Sequence, residues 1–276
     1  GSYNSASGAT ALATNTTGVN NTAHGYRALY LNTTASNNTA VGYQSLYANT
    51  TGTNNVAIGA LAGDALTTGN ENVAVGFEAL STEDAHGGAT AVGSGALKTQ
   101  NAGATSFNTA VGYLAGNLVT TGIKNTIVGA LAGDALTDAD FNVALGYNTL
   151  SSDTLGSQTV AIGSGALYTQ NFTSATASNN TAVGHDAGNK VTTGVQNTIV
   201  GALAGDAMTS GDSNTFIGYF SAGNGVVTGD TNTAVGVSAG LALTSGSNNL
   251  CLGKDAGRTG SPGGNVTTHN NKIFLS

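Results

Sequence analysis

The chain has 276 residues, of which 8% are charged and 6% aromatic, with 42 glycines, one proline and a net charge of −7. Ordinary globular domains carry more charge and larger core side chains than this. The seven Lys and Arg are dispersed without a basic run, which argues against a nucleic-acid or anionic-membrane surface, and no apolar run is long enough to span a bilayer.

In chain order, one short pattern returns throughout, most clearly as Asn55-Val56-Ala57-Ile58-Gly59. Its closing glycine recurs from Gly8 and Gly25 through Gly93 and Gly163 to Gly253, mostly 17 residues apart. Disorder has no reason to keep Val or Ile in such a register, so the spacing predicts an all-β repeat solenoid. A single domain over 3–276 with about fifteen 17-residue coils is expected.

Counting from this anchor glycine, position −4 is Asn in nearly every coil, with Ala89 and Thr159 as exceptions. Asn suits a turn, and in-register stacking lets amides form a ladder. Positions −3 and −1 hold pairs such as Val56/Ile58 and Leu250/Leu252 and are expected to face the core. Position −2 is usually Ala, as at Ala57 and Ala144, and its persistence suggests that a second chain covers it. After the anchor, either Leu stands at +4, as at Leu29 and Leu97, or Gly does and the large apolar residue waits until +7, as at Leu66 and Val119. A second glycine recurs at +10, as at Gly52 and Gly211, so two turn signals divide each coil.

A longer period overlies this one. Gly-Ala-Leu-Ala-Gly-Asp-Ala occurs at 59–65, 129–135 and 201–207, which points to a duplicated four-coil block. Two coils are longer than the rest, and their extra residues are expected to bulge outward near 100–107 and 170–179, with a terminal loop at 258–271 around Pro262. Gly1-Ser2 reads as a cloning remnant, and the whole as an excised fragment.

Asn-Val-Ala-Ile-Gly followed by a small residue and a second glycine resembles the head repeats of trimeric autotransporter adhesins, the YadA-like family. The longer form, Asn38-Thr39-Ala40-Val41-Gly42-Tyr43-Gln44-Ser45-Leu46 closed by Asn49-Thr50-Thr51-Gly52, is similar to repeats in bacteriophage tail fibres, which are often followed by an endosialidase-type chaperone domain. The resemblance implies a trimeric left-handed parallel β-roll that mediates host-cell or surface attachment, extracellular, on a virion tail fibre or a bacterial surface. The 17-residue coil departs from the roughly fourteen-residue adhesin repeat.

No catalytic, metal or cofactor site is expected. The four histidines lack metal-ligand spacing, and His24 stands in a column of Val and Ile. Asp64, Asp134 and Asp206 are four coils apart, too far to share a cation. Cys251 replaces Ala or Ile and is expected to be buried. Receptor-binding candidates are Tyr26, Arg27, Tyr30, Tyr43 and Tyr47, whose rings suit sugar stacking or interchain packing, and the loop aromatics Phe107 and Phe172. The partners expected are two further copies of the chain and a cell-surface glycan or other host receptor, with no nucleic acid and no membrane insertion. Two rivals are an ice-binding solenoid, suggested by Thr pairs such as Thr67-Thr68 and Thr192-Thr193, and a passive fibre spacer with recognition elsewhere.

Overall fold

The computed structural model describes residues 1–260 and 266–276, so residues 261–265 of the expected terminal loop, Pro262 among them, lie outside the described residues. The protein is an all-β parallel solenoid of about fifteen coils of about 17 residues, without a helix among the described residues. It divides into two compact units, Gly1–Asp140 and Phe141–Ser276.

In the first unit the strands are β1 (Ser5–Ser7), β2 (Thr22–His24), β3 (Thr39–Val41), β4 (Val56–Ile58), β5 (Val73–Val75), β6 (Thr90–Val92), β7 (Thr109–Val111) and β8 (Thr126–Val128). Each pairs in parallel with the next in sequence, position for position, as in Val56↔Val73 and Ala57↔Ala74. The second unit continues with β9 (Val143–Leu145), β10 (Gly156–Ser157), β11 (Val160–Ile162), β12 (Thr176–Ala177), β13 (Thr181–Val183), β14 (Thr198–Val200), β15 (Thr215–Ile217), β16 (Thr233–Val235), β17 (Leu250–Leu252) and β18 (Ile273–Leu275). There β10 and β12 form a small parallel sheet of their own.

The anchor glycines are required by both conformation and space. Gly59 has φ +134°, and a Cβ there would stand 2.4 Å from the carbonyl oxygen of Gly76 in the next coil. No L side chain fits such a backbone at such a distance.

Which face of each strand is inside reverses the expectation from sequence. Ala57 is fully buried, whereas Ile58 is 41% exposed and Val56 half-buried. The same holds along both units: Ala23, Ala40 and Ala144 are buried, and Leu145, Ile217 and Leu252 are exposed. The cause is the thinness of the coil, whose inner strand face meets the chain's own return segment. Leu66, Leu46 and Ala57 crowd the space above Gly63, and in the second unit Ala234 and Leu243 crowd that above Gly240. A methyl group is what fits. The alanine column is therefore interior to one chain and is not the surface a second chain covers. Larger central residues occur where glycine opens the opposite wall: Ile127 reaches over Gly116 and Gly133, and Ile199 over Gly188. The alternation between +4 and +7 follows the same logic, since Leu29, Leu97, Leu66 and Val119 are all buried.

The asparagine column is an internal hydrogen-bond spine. Asn38 Oδ1 accepts the Asn55 backbone N–H at 2.9 Å, and Asn38 Nδ2 donates to the Gly52 carbonyl at 2.8 Å. In the second unit Asn197 Oδ1 accepts from Asn214 N–H at 2.8 Å, while Asn197 Nδ2 donates to Gly211 O at 2.9 Å. Each buried amide thus satisfies backbone groups on both sides of the coil, which links the −4 asparagine to the +10 glycine and removes the cost of leaving them unpaired.

The two long coils only partly bulge. Gln100, Ala102 and Ser106 are buried, as are Gln170, Phe172 and Ser178, and the exposed parts are 101, 103–105 and 107 in one coil and 171, 173–175, 177 and 179 in the other. They are held by buried acids that sequence reading had not singled out. Glu83 Oε2 accepts from Gln100 Nε2 at 3.2 Å and from Ala102 N–H at 3.1 Å. Asp153 Oδ2 accepts from Gln170 Nε2 at 2.6 Å, and its Oδ1 from Phe172 N–H at 3.1 Å and Gly156 N–H at 3.0 Å. Both acids stand at +7 of coils with Leu at +4, where other coils of that type place an amide, as at Asn32, Asn49, Gln100 and Gln170.

Candidate functional sites

In the first unit, five of the seven aromatic and basic candidates come together. Tyr26 stacks on Tyr43 and Tyr30 on Tyr47, each pair with ring centroids 5.5 Å apart. The Arg27 guanidinium lies 5.1 Å from the Tyr26 ring centre and 5.5 Å from that of Tyr30. The 17-residue step places identical residues one coil apart, so stacking follows from register. Ring faces needed for a ligand are thereby partly spent within the chain.

Phe107 and Phe172 part company. Phe107 is 60% exposed beside a cleft of about 260 Å³ that also presents Asn70, Glu71, His86 and Thr105. Phe172 is 6% exposed and packs over Gly156, so as a receptor contact it is corrected: its N–H is tied to Asp153 and its ring is part of the core. His24, placed inward by the sequence pattern, is exposed on the outer strand face.

Glu83, Asp84 and His86 bring potential metal-ligating atoms within 4.8 Å of one another. The hydrogen bonds of Glu83 give this group a structural role: besides Gln100 and Ala102, its Oε1 accepts from the His86 N–H at 3.1 Å and lies 3.3 Å from His86 Nδ1. The three repeated aspartates behave differently. Asp64, Asp134 and Asp206 each have a buried Oδ1 without a hydrogen-bond partner among the described residues. Burial pushes the Asp64 carboxyl up to about 6 and raises those of Asp134 and Asp206. Cys251 is buried, and burial pushes its thiol up to about 11, as suits an inert core side chain.

The threonine pairs are largely used by the fold. Thr67 Oγ1 donates to Asp84 O at 2.7 Å, and Thr192 Oγ1 to Thr209 O at 3.1 Å, each bridging to the next coil. A second notch, absent from the sequence-level candidates, opens in the second unit between Tyr147 and Tyr168, with Asp186 and Asn189 on its wall. Its signal in the sequence is faint: Gly165 at +2 leaves a gap between coils that happen to carry tyrosine.

Against known protein families, curated proteins and solved structures, the chain finds no match.

Proposed function

We propose that this chain is a segment of an extracellular attachment fibre, displayed on a virion tail or a bacterial surface, in which three copies pack through their outer sheet faces. The observation that carries this reading is the polarity of those faces. Positions −3 and −1 point outward in both units and, apart from Ser5, Ser7 and His24, hold Thr, Val, Ile and Leu, with no Asp, Glu, Lys or Arg in either column. Exposed aromatics flank the same face at +1, as at Tyr43, Phe77 and Tyr113 in the first unit and Tyr219 in the second. Soluble monomers seldom leave an apolar strip of this regularity in water, and a face of this kind repeated on each copy is covered most simply by a closed ring of copies. The number three comes from the resemblance to the adhesin and tail-fibre repeats.

Light scattering after size exclusion tests it. A mass of three 26.9-kDa chains is expected. Placing lysine outward, as Ile58→Lys with Ile217→Lys, is expected to release single chains while the circular-dichroism spectrum stays that of the parent. A wild-type mass of one chain overturns the proposal.

A further inference from the structure

The notch of the second unit has the chemistry of a sugar site. Its floor is Gly165, at φ +69°, where a Cβ would stand 2.1 Å from Asp186 Oδ1, so only glycine leaves the backbone open beneath the carboxylate. Two tyrosines border it, Tyr147 at 55% and Tyr168 at 40% exposure, and neither has a ring partner among the described residues. Asn189 Nδ2 donates to both Gly165 O and Asp186 Oδ1, each at 3.1 Å, which fixes the acid on the wall. Asp186 Oδ2 lies 3.4 Å from His185 Nδ1. The notch measures about 250 Å³ and no Lys or Arg lines it.

These features select a ligand class. Aromatic rings free on their faces favour C–H-rich surfaces. A fixed carboxylate and a side-chain amide oxygen accept hydrogen bonds from hydroxyl groups. The absence of a lining cation disfavours phosphate or carboxylate ligands, and Asp186 repels them. The volume is below the roughly 300–1,000 Å³ of pockets for drug-sized ligands, in the range of a single ring. We infer that this notch binds one residue of a neutral saccharide, with Tyr147 and Tyr168 packed against its C–H face and Asp186 taking its hydroxyl hydrogens. The inference rests on the attachment reading above and names the receptor chemistry for it.

The first unit supplies an internal control. Four-coil duplication aligns Phe77, Glu78, Lys98, Leu114 and Asn117 with Tyr147, Asn148, Tyr168, Asp186 and Asn189. Asn117 Nδ2 still reaches Gly95 O at 2.9 Å, so the scaffold contact is kept. Leu114 replaces the acid above Gly95, and Lys98 Nζ lies 2.5 Å from Glu78 Oε2. That version presents a leucine and an ion pair where the second unit presents an acceptor and a ring.

Saturation-transfer NMR on the full chain, with galactose, glucose, mannose and N-acetylglucosamine as probes and sialyllactose as the charged comparison, tests the inference. Transfer to at least one neutral sugar is expected, exceeding that to the sialic acid ring. The double variant Tyr168→Ala, Asp186→Leu is expected to weaken binding about tenfold or more with an unchanged melting temperature, because Leu114 already occupies the equivalent place in the first unit. No transfer to any neutral sugar, preferred transfer to sialic acid, or full binding by the variant overturns the site. Solution mass is read separately: a trimer without sugar binding sinks the site alone, and a sugar-binding monomer sinks the fibre alone.

Discussion

The coils from Gly76 to Asn108 in the first unit and from Gly146 to Asn180 in the second descend from the same four-coil pattern, and they differ outside far more than inside. Inside, an acid at +7 bonds the glutamine of the next coil, and that glutamine's Oε1 accepts from an asparagine at 2.8 Å in both units, Asn108 in one and Asn180 in the other. Outside, Phe, Glu, Lys and Leu stand where the other unit has Tyr, Asn, Tyr and Asp. The contrast follows from solvation. A buried carboxylate that loses its partners has no water to replace them, whereas an exposed side chain does, so sequence drifts where exchange with water is cheap. A rigid interior can thus carry different chemistries on equivalent outer positions.

The sharpest way to break this comparison is inside. Asp153→Ala takes the shorter of two acceptors from Gln170 Nε2, which keeps Thr159 Oγ1 at 3.3 Å, and the carboxylate acceptor from the N–H groups of Gly156 and Phe172, all within the protein interior. A loss of about 2–5 kcal/mol is expected, since buried neutral donors left without their acceptor cost about 1–3 kcal/mol each. Denaturant unfolding measures it, and hydrogen exchange is expected to localise the loosening to residues 171–178. A change below about 1 kcal/mol would show that the acid is not the staple of the long coil.

The spine of asparagines gives a smaller effect of the same kind. Asn55→Ala leaves the Asn72 N–H and the Gly69 carbonyl without their side-chain partners. About 1–3 kcal/mol of destabilisation is expected. Asn55→Asp keeps the acceptor but loses the donor, so its deficit should trace mainly to Gly69.

A third test contrasts an acid whose two oxygens are both paired with one whose buried Oδ1 is unpaired among the described residues. Asp64 has its carboxyl pushed up to about 6 by burial, against an ordinary value of 3.8. Because the folded-state value is the higher one, the folded chain binds more protons across that window, so this group's contribution is fully present below about pH 4 and lost as pH rises through about 6. The wild type should therefore gain more in melting temperature between about pH 7 and about pH 4.5 than Asp64→Asn does. An equal gain in both would remove Asp64 from the account.

Much of this interior was legible in the sequence. The period, the parallel register, the asparagine column and the exchange of Leu between +4 and +7 all follow from spacing. The inside face was not. Alternation along Val56-Ala57-Ile58 separates two faces without saying which is buried, and the usual preference for large residues inside fails in a coil thin enough that Ala57 meets its own return segment. A clue was present: Ile127 and Ile199 replace alanine where Gly116, Gly133 and Gly188 remove a side chain opposite, and the −1 column shows no such compensation. The notch was hidden for another reason. Tyr147, Gly165 and Asp186 belong to three successive coils, and only stacking brings them to one opening. Phe172 misled in the opposite direction, because length alone cannot tell a bulging loop from one folded inward around Asp153.

The mildest change in energy carries the most information about the exterior. Glu78→Asn, Lys98→Tyr and Leu114→Asp together place the second unit's outer side chains on the first unit, with the Phe77 ring kept in the place of Tyr147 and Gly95 and Asn117 unchanged. The Lys98–Glu78 ion pair they remove is partly exposed, so its loss is expected to cost about 0–1 kcal/mol. If outer positions are independent of the interior, the variant folds with the parent's melting temperature and binds two neutral sugars per chain where the parent binds one. If it folds but its stoichiometry stays at one, the second unit's notch depends on something beyond these side chains, such as the longer loop at 170–179 or the His185 ring beside Asp186. The decisive number is the stoichiometry, which weighs local side-chain chemistry directly against the context supplied by neighbouring coils.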